Sequence, residues 1–367
     1  MKNKRKPLLI FFAVLVTLLA AILVLTVITP YPVAYVARFA FRNGMAVPPD
    51  NYADVVSKVD VTKDVTYPSD FGDNTADIYV PNDKDGRFPV VLWIHGGAFV
   101  GGDKTDAEIY ATMLAARGFA VVCINYDRAP EAKYPTPIIQ TNEAYQWLNE
   151  IADIYSFDMS RFILAGDSAG AHIAAQYALI QTNPAYADEM QMVQVVPPDT
   201  LKAILLYCGP FDVAKMEDTG SSILDFVLGQ TAWAYFGTRD WSEKFAYQAT
   251  ISNYINEKFP PAFITDGNSM SFEDHGRELA ATLEMNGVPV ETYFINAEIE
   301  AAHEYQFVMN TPTGMESFAK AVEFIERREW PLCHSLQQRL PCRTTRILSF
   351  FESNTQPMFS IKKNLQM

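Results

Sequence analysis

The first hydrophobic pattern along the chain is an unbroken block. Leu8 to Thr29 (LLIFFAVLVTLLAAILVLTVIT) contains no charged side chain, and the preceding MKNKRKP carries four positive ones. Twenty-two residues make a helix of about 33 Å, enough to cross roughly 30 Å of hydrocarbon. A cleaved signal peptide has a shorter apolar region and a small-x-small cleavage site, and no such site stands near Pro30. Residues 1–30 therefore predict a basic cytoplasmic flank and an uncleaved transmembrane anchor, with the rest of the chain outside the cell membrane. Secretion after signal cleavage is the alternative.

Beyond the anchor, residues 31–64 form a connector with helical character. From Tyr67 the pattern turns strand-like: DIYVP, a turn over Asn82 to Arg87, then FPVVLWIHGG. Pro89 to Ile94 is apolar without alternation, as expected of a strand covered on both faces. Similar runs recur at 119–126, 161–167, 201–208, 261–265 and 290–295. Helical stretches separate them, at 106–117, 138–154, 169–181, 274–286 and 315–328. Strands alternating with helices predict an α/β domain over 65–330, doubly wound around a mostly parallel sheet. Ligands then belong beyond the carboxyl ends of the strands. Residues 209–255 interrupt the rhythm and are rich in aromatics (Phe211, Phe226, Trp233, Tyr235, Phe236, Trp241, Phe245, Tyr247), which predicts a lid or pocket wall. In the tail, 331–367, five Lys and Arg face one acid, Glu352, and no periodicity survives. Disorder or an origin separate from the rest is expected there, with no function.

Composition narrows the function classes. A net charge of −14 argues against a nucleic-acid partner. Of the four Cys, Cys123 and Cys208 lie in apolar runs and are expected as buried free thiols, while Cys333 and Cys342 fall in the tail. No metal-ligand spacing occurs.

Two motifs carry chemistry. LAGDSAGAH puts Ser168 between a predicted strand and a predicted helix, flanked by Gly166 and Gly170. A nucleophile on such a turn needs small neighbours, and it then stands clear above the sheet at the positive end of a helix. LWIHGGAFVGGDK follows a strand end but lacks both P-loop and dinucleotide spacing. Its Gly96 and Gly97 can instead offer N–H groups to an oxyanion, with Ala169 as a third donor and Ala98 where a further Gly is expected. Of the five His, His95 adjoins those glycines, His172 and His275 lie on helices, and His334 is in the tail. His303, in AAHEYQF after the last predicted strand, is left as the general base.

HGGAF, NYDRAPEAKYP, GDSAG and a His loop after GVPVETYF together resemble the hormone-sensitive-lipase-like branch of the α/β-hydrolases, which includes acetyl esterases. The likeness covers about residues 65–328. It implies the α/β-hydrolase fold, a Ser-Asp-His triad without cofactor, and Tyr126 with Arg128 to Glu131 bracing the site. That family shows D-P-L-x-x-D after the seventh strand, and the position of its catalytic Asp falls here on Met270. Asp266, at the strand end, is the leading candidate for the acid. Glu273 or Asp274 at the next helix start, and Asp212 in GPFDV, remain open. The expected function is a membrane-anchored serine carboxylesterase for short acyl esters, acetyl-type, on a small molecule or glycan, working through an acyl-enzyme. An amidase, peptidase or lipase, or a non-catalytic binding protein on the same scaffold, is the alternative.

Overall fold

The continuous apolar runs lie where helices cover both faces of a sheet. The computed structural model describes residues 5–42, 44–83, 86–240 and 244–329. Strands β1 (Val59–Thr66), β2 (Thr75–Pro81), β3 (Phe88–Ile94), β4 (Ala120–Ile124), β5 (Phe157–Asp167), β6 (Leu201–Tyr207), β7 (Ala262–Asp266) and β8 (Val290–Phe294) form one eight-stranded sheet, ordered β1-β2-β4-β3-β5-β6-β7-β8. β1 runs antiparallel to β2, and β2 to β4; the remaining pairs are parallel. Every residue of β3 and β4 is buried, which accounts for their lack of alternation.

The helices are α1 (Arg5–Ile28), α2 (Tyr31–Ala40), α3 (Tyr52–Val56), α4 (Glu108–Ala115), α5 (Thr136–Ile151), α6 (Ala169–Thr182), α7 (Pro184–Met190), α8 (Ser222–Phe236), α9 (Lys244–Ala249), α10 (Glu273–Met285) and α11 (Pro312–Glu329). Alternate residues of β3 enter opposite cores. Val90, Leu92 and Ile94 pack with residues of α5, α6 and α10, whereas Val91 and Trp93 pack with α4 and α11. The sheet is thus doubly wound, as expected.

Three boundaries differ from the sequence reading. β1 begins inside the stretch read as connector, because its antiparallel pairing with β2 leaves it at an exposed edge with little apolar signal. β5 starts at Phe157, where Phe157 and Asp158 pair with Phe88 and Pro89 before a bulge. α7 restarts the helix after Asn183, whose side chain accepts from the N–H groups of Ala185 and Tyr186. Residues 209–255 contain α8, α9 and two short 3-10 turns. The tail at 331–367 lies outside the described residues, as does Trp241.

α1 includes Leu8–Ile28, a stretch of 21 residues long and apolar enough to cross a membrane. α2 follows after Thr29 and Pro30. It buries Ala34 and Ala37 and packs against α8. Arg38 fastens it to the domain by donating to the carbonyls of Val100 (2.6 Å) and Ala129 (2.6 Å) and pairing with Glu131.

The start of α6 is pressed against the end of β3. A Cβ on Gly170 would sit 2.0 Å from the carbonyl oxygen of Ile94 and 2.5 Å from that of His95. Backbone on both sides leaves no flexible group to yield. Gly170→Ala should therefore cost at least about 1–3 kcal/mol through overpacking. Gly72→Ala, where the Cβ would meet only an Asp127 oxygen at 3.7 Å, should stay within about 0.5 kcal/mol. Urea midpoints of the two variants check this, and equal midpoints would refute it.

Candidate active site

Ser168 lies between the last residue of β5 and the first of α6, with φ 49° and ψ −121°. This backbone conformation is strained for a residue with a side chain, and it lifts the hydroxyl out of the sheet. Its own N–H is held by the Tyr207 carbonyl at 2.8 Å.

The loop after β8 brings His303 over this turn, with Nε2 2.9 Å from Ser168 Oγ. On the other edge of the ring, Nδ1 lies 2.7 Å from Ser271 Oγ. The Ser271 hydroxyl in turn donates to Asp266 Oδ1. Asp266 ends β7 and is 1% exposed. Burial pushes its carboxyl up to about 7, against the opposing hydrogen bond from Ser271. The His303 ring keeps 27% exposure, and desolvation holds it below the ordinary imidazole range. Phe272 packs edge-on against it, with centroids 5.7 Å apart.

The other candidate acids are engaged elsewhere. Asp212 caps a 3-10 turn, accepting from Ala214 N–H at 3.0 Å, and its own N–H donates to His275 Nδ1 at 3.2 Å. Glu273 pairs with Arg277 at 2.5 Å, and Asp274 is exposed in the first turn of α10. Met270 points outward, 58% exposed. Of the remaining histidines, His95 stacks on Tyr126 and His172 bonds the Ala249 carbonyl at 2.8 Å; His334 lies outside the described residues.

Gly96 requires a correction as an oxyanion donor. It is buried, and its N–H donates to Asp167 Oδ2 at 2.7 Å, so that amide is already used. Gly97 and Ala98 follow with positive φ (109° and 51°) and are partly exposed. Ala98 and Ala169 flank Ser168 on a cleft of about 270 Å³, whose wall also includes Phe99, Leu228, Ala232 and Phe272. Tyr126 and Arg128 brace this loop, donating to the carbonyls of His95 (2.8 Å) and Gly102 (2.5 Å).

Asp167 Oδ1 accepts from Trp93 Nε1 at 2.7 Å, and Glu304 hydrogen-bonds to the same carboxylate. Desolvation raises both acids, and the Asp167 charge raises Glu304 further, an arrangement that favours one proton held between the two carboxyls. The pair ties the residue before Ser168 to the residue after His303. Cys208 Sγ, an Asp266 oxygen and a His303 nitrogen lie within 4.8 Å of one another. Burial keeps the Cys208 thiol protonated, which suits hydrogen bonding better than metal ligation.

Residues 76–272 match the BD-FAE family. The chain belongs to that family. It falls among the α/β-hydrolases, in their hormone-sensitive-lipase-like and acetyl esterase branch. Esterase LipQ of Mycobacterium tuberculosis is 27% identical over 251 residues, covering 66% of this chain and 56% of that protein. An acetyl esterase of Salmonella schwarzengrund is 26% identical over 255 residues, covering 68% of this chain and 75% of that one. The matched part thus spans little more than half of the Mycobacterium protein. The crystal structure of esterase B from Lactobacillus rhamnosis shares the fold with a TM-score of 0.67 at 19% identity, over 88% of this chain and 98% of that chain.

In this BD-FAE member, sequence reasoning passed over Ser271, Asp167 and Glu304. Asp167 and Glu304 each adjoin a singled-out residue, and that adjacency was the one available signal.

The shared proton has a testable consequence. A carboxyl raised on folding holds protons that the unfolded chain releases, so its contribution to stability falls as pH rises from about 4. The raised carboxyls carry that window into the neutral range. Glutamine mimics the protonated glutamic acid, so Glu304→Gln should fold normally, and its Tm relative to wild type should climb between pH 5 and 8. The buried histidines titrate the opposite way in the same range, so the difference between the two proteins is the quantity to read. A difference independent of pH would refute the shared proton.

Proposed function

We propose that the protein is a membrane-anchored serine carboxylesterase that hydrolyses short acyl esters, acetyl-type, on a small molecule or glycan. The observation that carries this reading is the 2.9 Å contact between His303 Nε2 and Ser168 Oγ on a strained strand-to-helix turn. His303 takes the Ser168 proton as the oxygen attacks the ester carbonyl. The proton passes to the departing alcohol, leaving an acyl-enzyme, and water activated by His303 then releases the acid. Asp266 is the carboxylate behind His303. Gly97, Ala98 and Ala169 supply oxyanion N–H groups, with Ala98 in the place expected for Gly96.

The cleft beside Ser168 is walled largely by apolar side chains, Phe99, Leu228 and Phe272 among them, which suits a short acyl chain. The apolar stretch Leu8–Ile28 supports an anchor, and so does the next helix. On α2, Tyr31, Tyr35, Val36 and Phe39 are all exposed, an aromatic face suited to a membrane interface. With the basic flank inside, the catalytic domain faces outward.

A fluorophosphonate should label the full-length protein, and Ser168→Ala should abolish labelling. Among nitrophenyl esters, kcat/KM should peak at two to four acyl carbons and fall by about 10-fold or more by C10. Unlabelled folded wild-type protein would refute the nucleophile, and a C10 optimum the short-chain preference. Recovery from the membrane fraction after an alkaline wash is expected; release by that wash would refute the anchor.

A further inference from the structure

In the reading above, a carboxylate orients the general base, yet Asp266 makes no hydrogen bond to His303. Ser271 stands between them, giving its proton to Asp266 Oδ1 and lying 2.7 Å from His303 Nδ1. We propose that Ser271 is a positioning residue that transmits the hold of Asp266 to His303; this rests on the assignment of Ser168 and His303 as nucleophile and base.

The proton count carries the argument. A serine hydroxyl has one hydrogen and two lone pairs. With the hydrogen committed to the carboxylate, only a lone pair is left to face the ring. His303 must therefore carry its proton on Nδ1, which leaves the Nε2 lone pair toward Ser168. The hydroxyl thus selects the tautomer a general base needs. When the ester is attacked, the Ser168 O–H bond breaks and a His303 Nε2–H bond forms. Ser271 keeps its own proton, and the imidazolium is met by an aligned hydroxyl with the Asp266 carboxylate behind it.

The loop is built to hold this position. Ser269 pairs with Ala302 in a short parallel bridge, and the amides of Asn268 and Ser269 donate to the Ala301 carbonyl at 2.9 and 3.1 Å. Asn268 Oδ1 accepts from Ala301 N–H at 3.0 Å in return. The segments bearing Ser271 and His303 are therefore tied by backbone two residues before each side chain. Met270 between them has φ 50° and turns outward, which lets Ser271 turn inward.

The test compares Ser271→Ala, Ser271→Thr, Ser271→Val and Asp266→Asn in the full-length protein, by kcat, KM, fluorophosphonate labelling rate and Tm. Ser271→Ala should lower kcat by about 10²- to 10⁴-fold with KM changed only a few-fold, and slow labelling in parallel. Threonine should restore most of the loss and valine, of similar shape, none. The Thr and Val pair decides the question even if the alanine variant does not fold. Because both groups act on one ring, Ser271→Ala combined with Asp266→Asn should be no slower than the slower single variant. Near-normal kcat in Ser271→Ala or Ser271→Val, or losses that multiply in the double variant, would overturn the proposal while labelled Ser168 keeps the esterase reading intact. Wild-type protein that is folded but unlabelled would overturn both.

Discussion

The contact between Gly170 and the Ile94 carbonyl is the constraint on which the site is built. Only a residue without a Cβ lets the first turn of α6 meet the end of β3. Gly166 meets the same turn, its Cβ position lying 2.5 Å from Gly170 carbon. With helix and strand this close, the single residue joining β5 to α6 is forced into the positive-φ conformation of Ser168. The loop leaving β3 then passes directly beside that residue, placing Ala98 next to Ala169 on the cleft. The proposed nucleophile and the candidate oxyanion donors are thus two outcomes of one backbone contact.

Around this contact lie three carboxyl groups, Asp167 and Asp266 buried and Glu304 still 20% exposed, and desolvation raises each of them. Carboxyls this close together disfavour being ionised at once. Asp167 has two donors, Trp93 Nε1 and Gly96 N–H, and so carries charge better than Glu304 does. The charge state of Glu304 bears on the proposed base, His303. Its Oε1 lies 3.9 Å from His303 Nε2, and an ionised carboxylate there would favour the protonated ring before substrate arrives. A proton held between Glu304 and Asp167 would keep that charge away from the edge of the ring that faces Ser168.

The parallel strands were legible because a strand covered on both faces has no polar register to hide it, as in Pro89 to Ile94. The turn at Ser168 was legible because its glycines and the following helix are adjacent in sequence. What was lost is what depends on side chains arriving from elsewhere. HGG offers two amides, and nothing in that motif says that Asp167, some seventy residues on, consumes the first. Comparison with D-P-L-x-x-D led to Met270, an exposed side chain, because a motif records position and not which way a backbone turns. One residue further, Ser271 faces inward. A serine between Met270 and Phe272 carries no local mark of that, since its partners lie on β7 and on the loop after β8. β1 escaped for a different reason: at the open edge of the sheet its burial is too slight to shape the sequence.

The insertion expected as a lid also has a mechanical connection. α8 lines the cleft with Leu228, Thr231 and Ala232, and it packs against α2. Just beyond its end, Arg239 donates to the Thr26 carbonyl of α1 at 3.0 Å and lies 3.9 Å over the Trp233 ring. Arg38 of α2 reaches the carbonyl of Val100, in the loop that carries Ala98. One wall of the cleft and the loop that carries Ala98 therefore rest on the two helices that lie at the apolar end of the chain. Packed side chains move as units rather than by small adjustments. A change in how α2 sits would consequently reach the cleft through α8 and the loop that carries Ala98 through Arg38, and the two routes meet where Phe99 of that loop stacks on Tyr235 of α8.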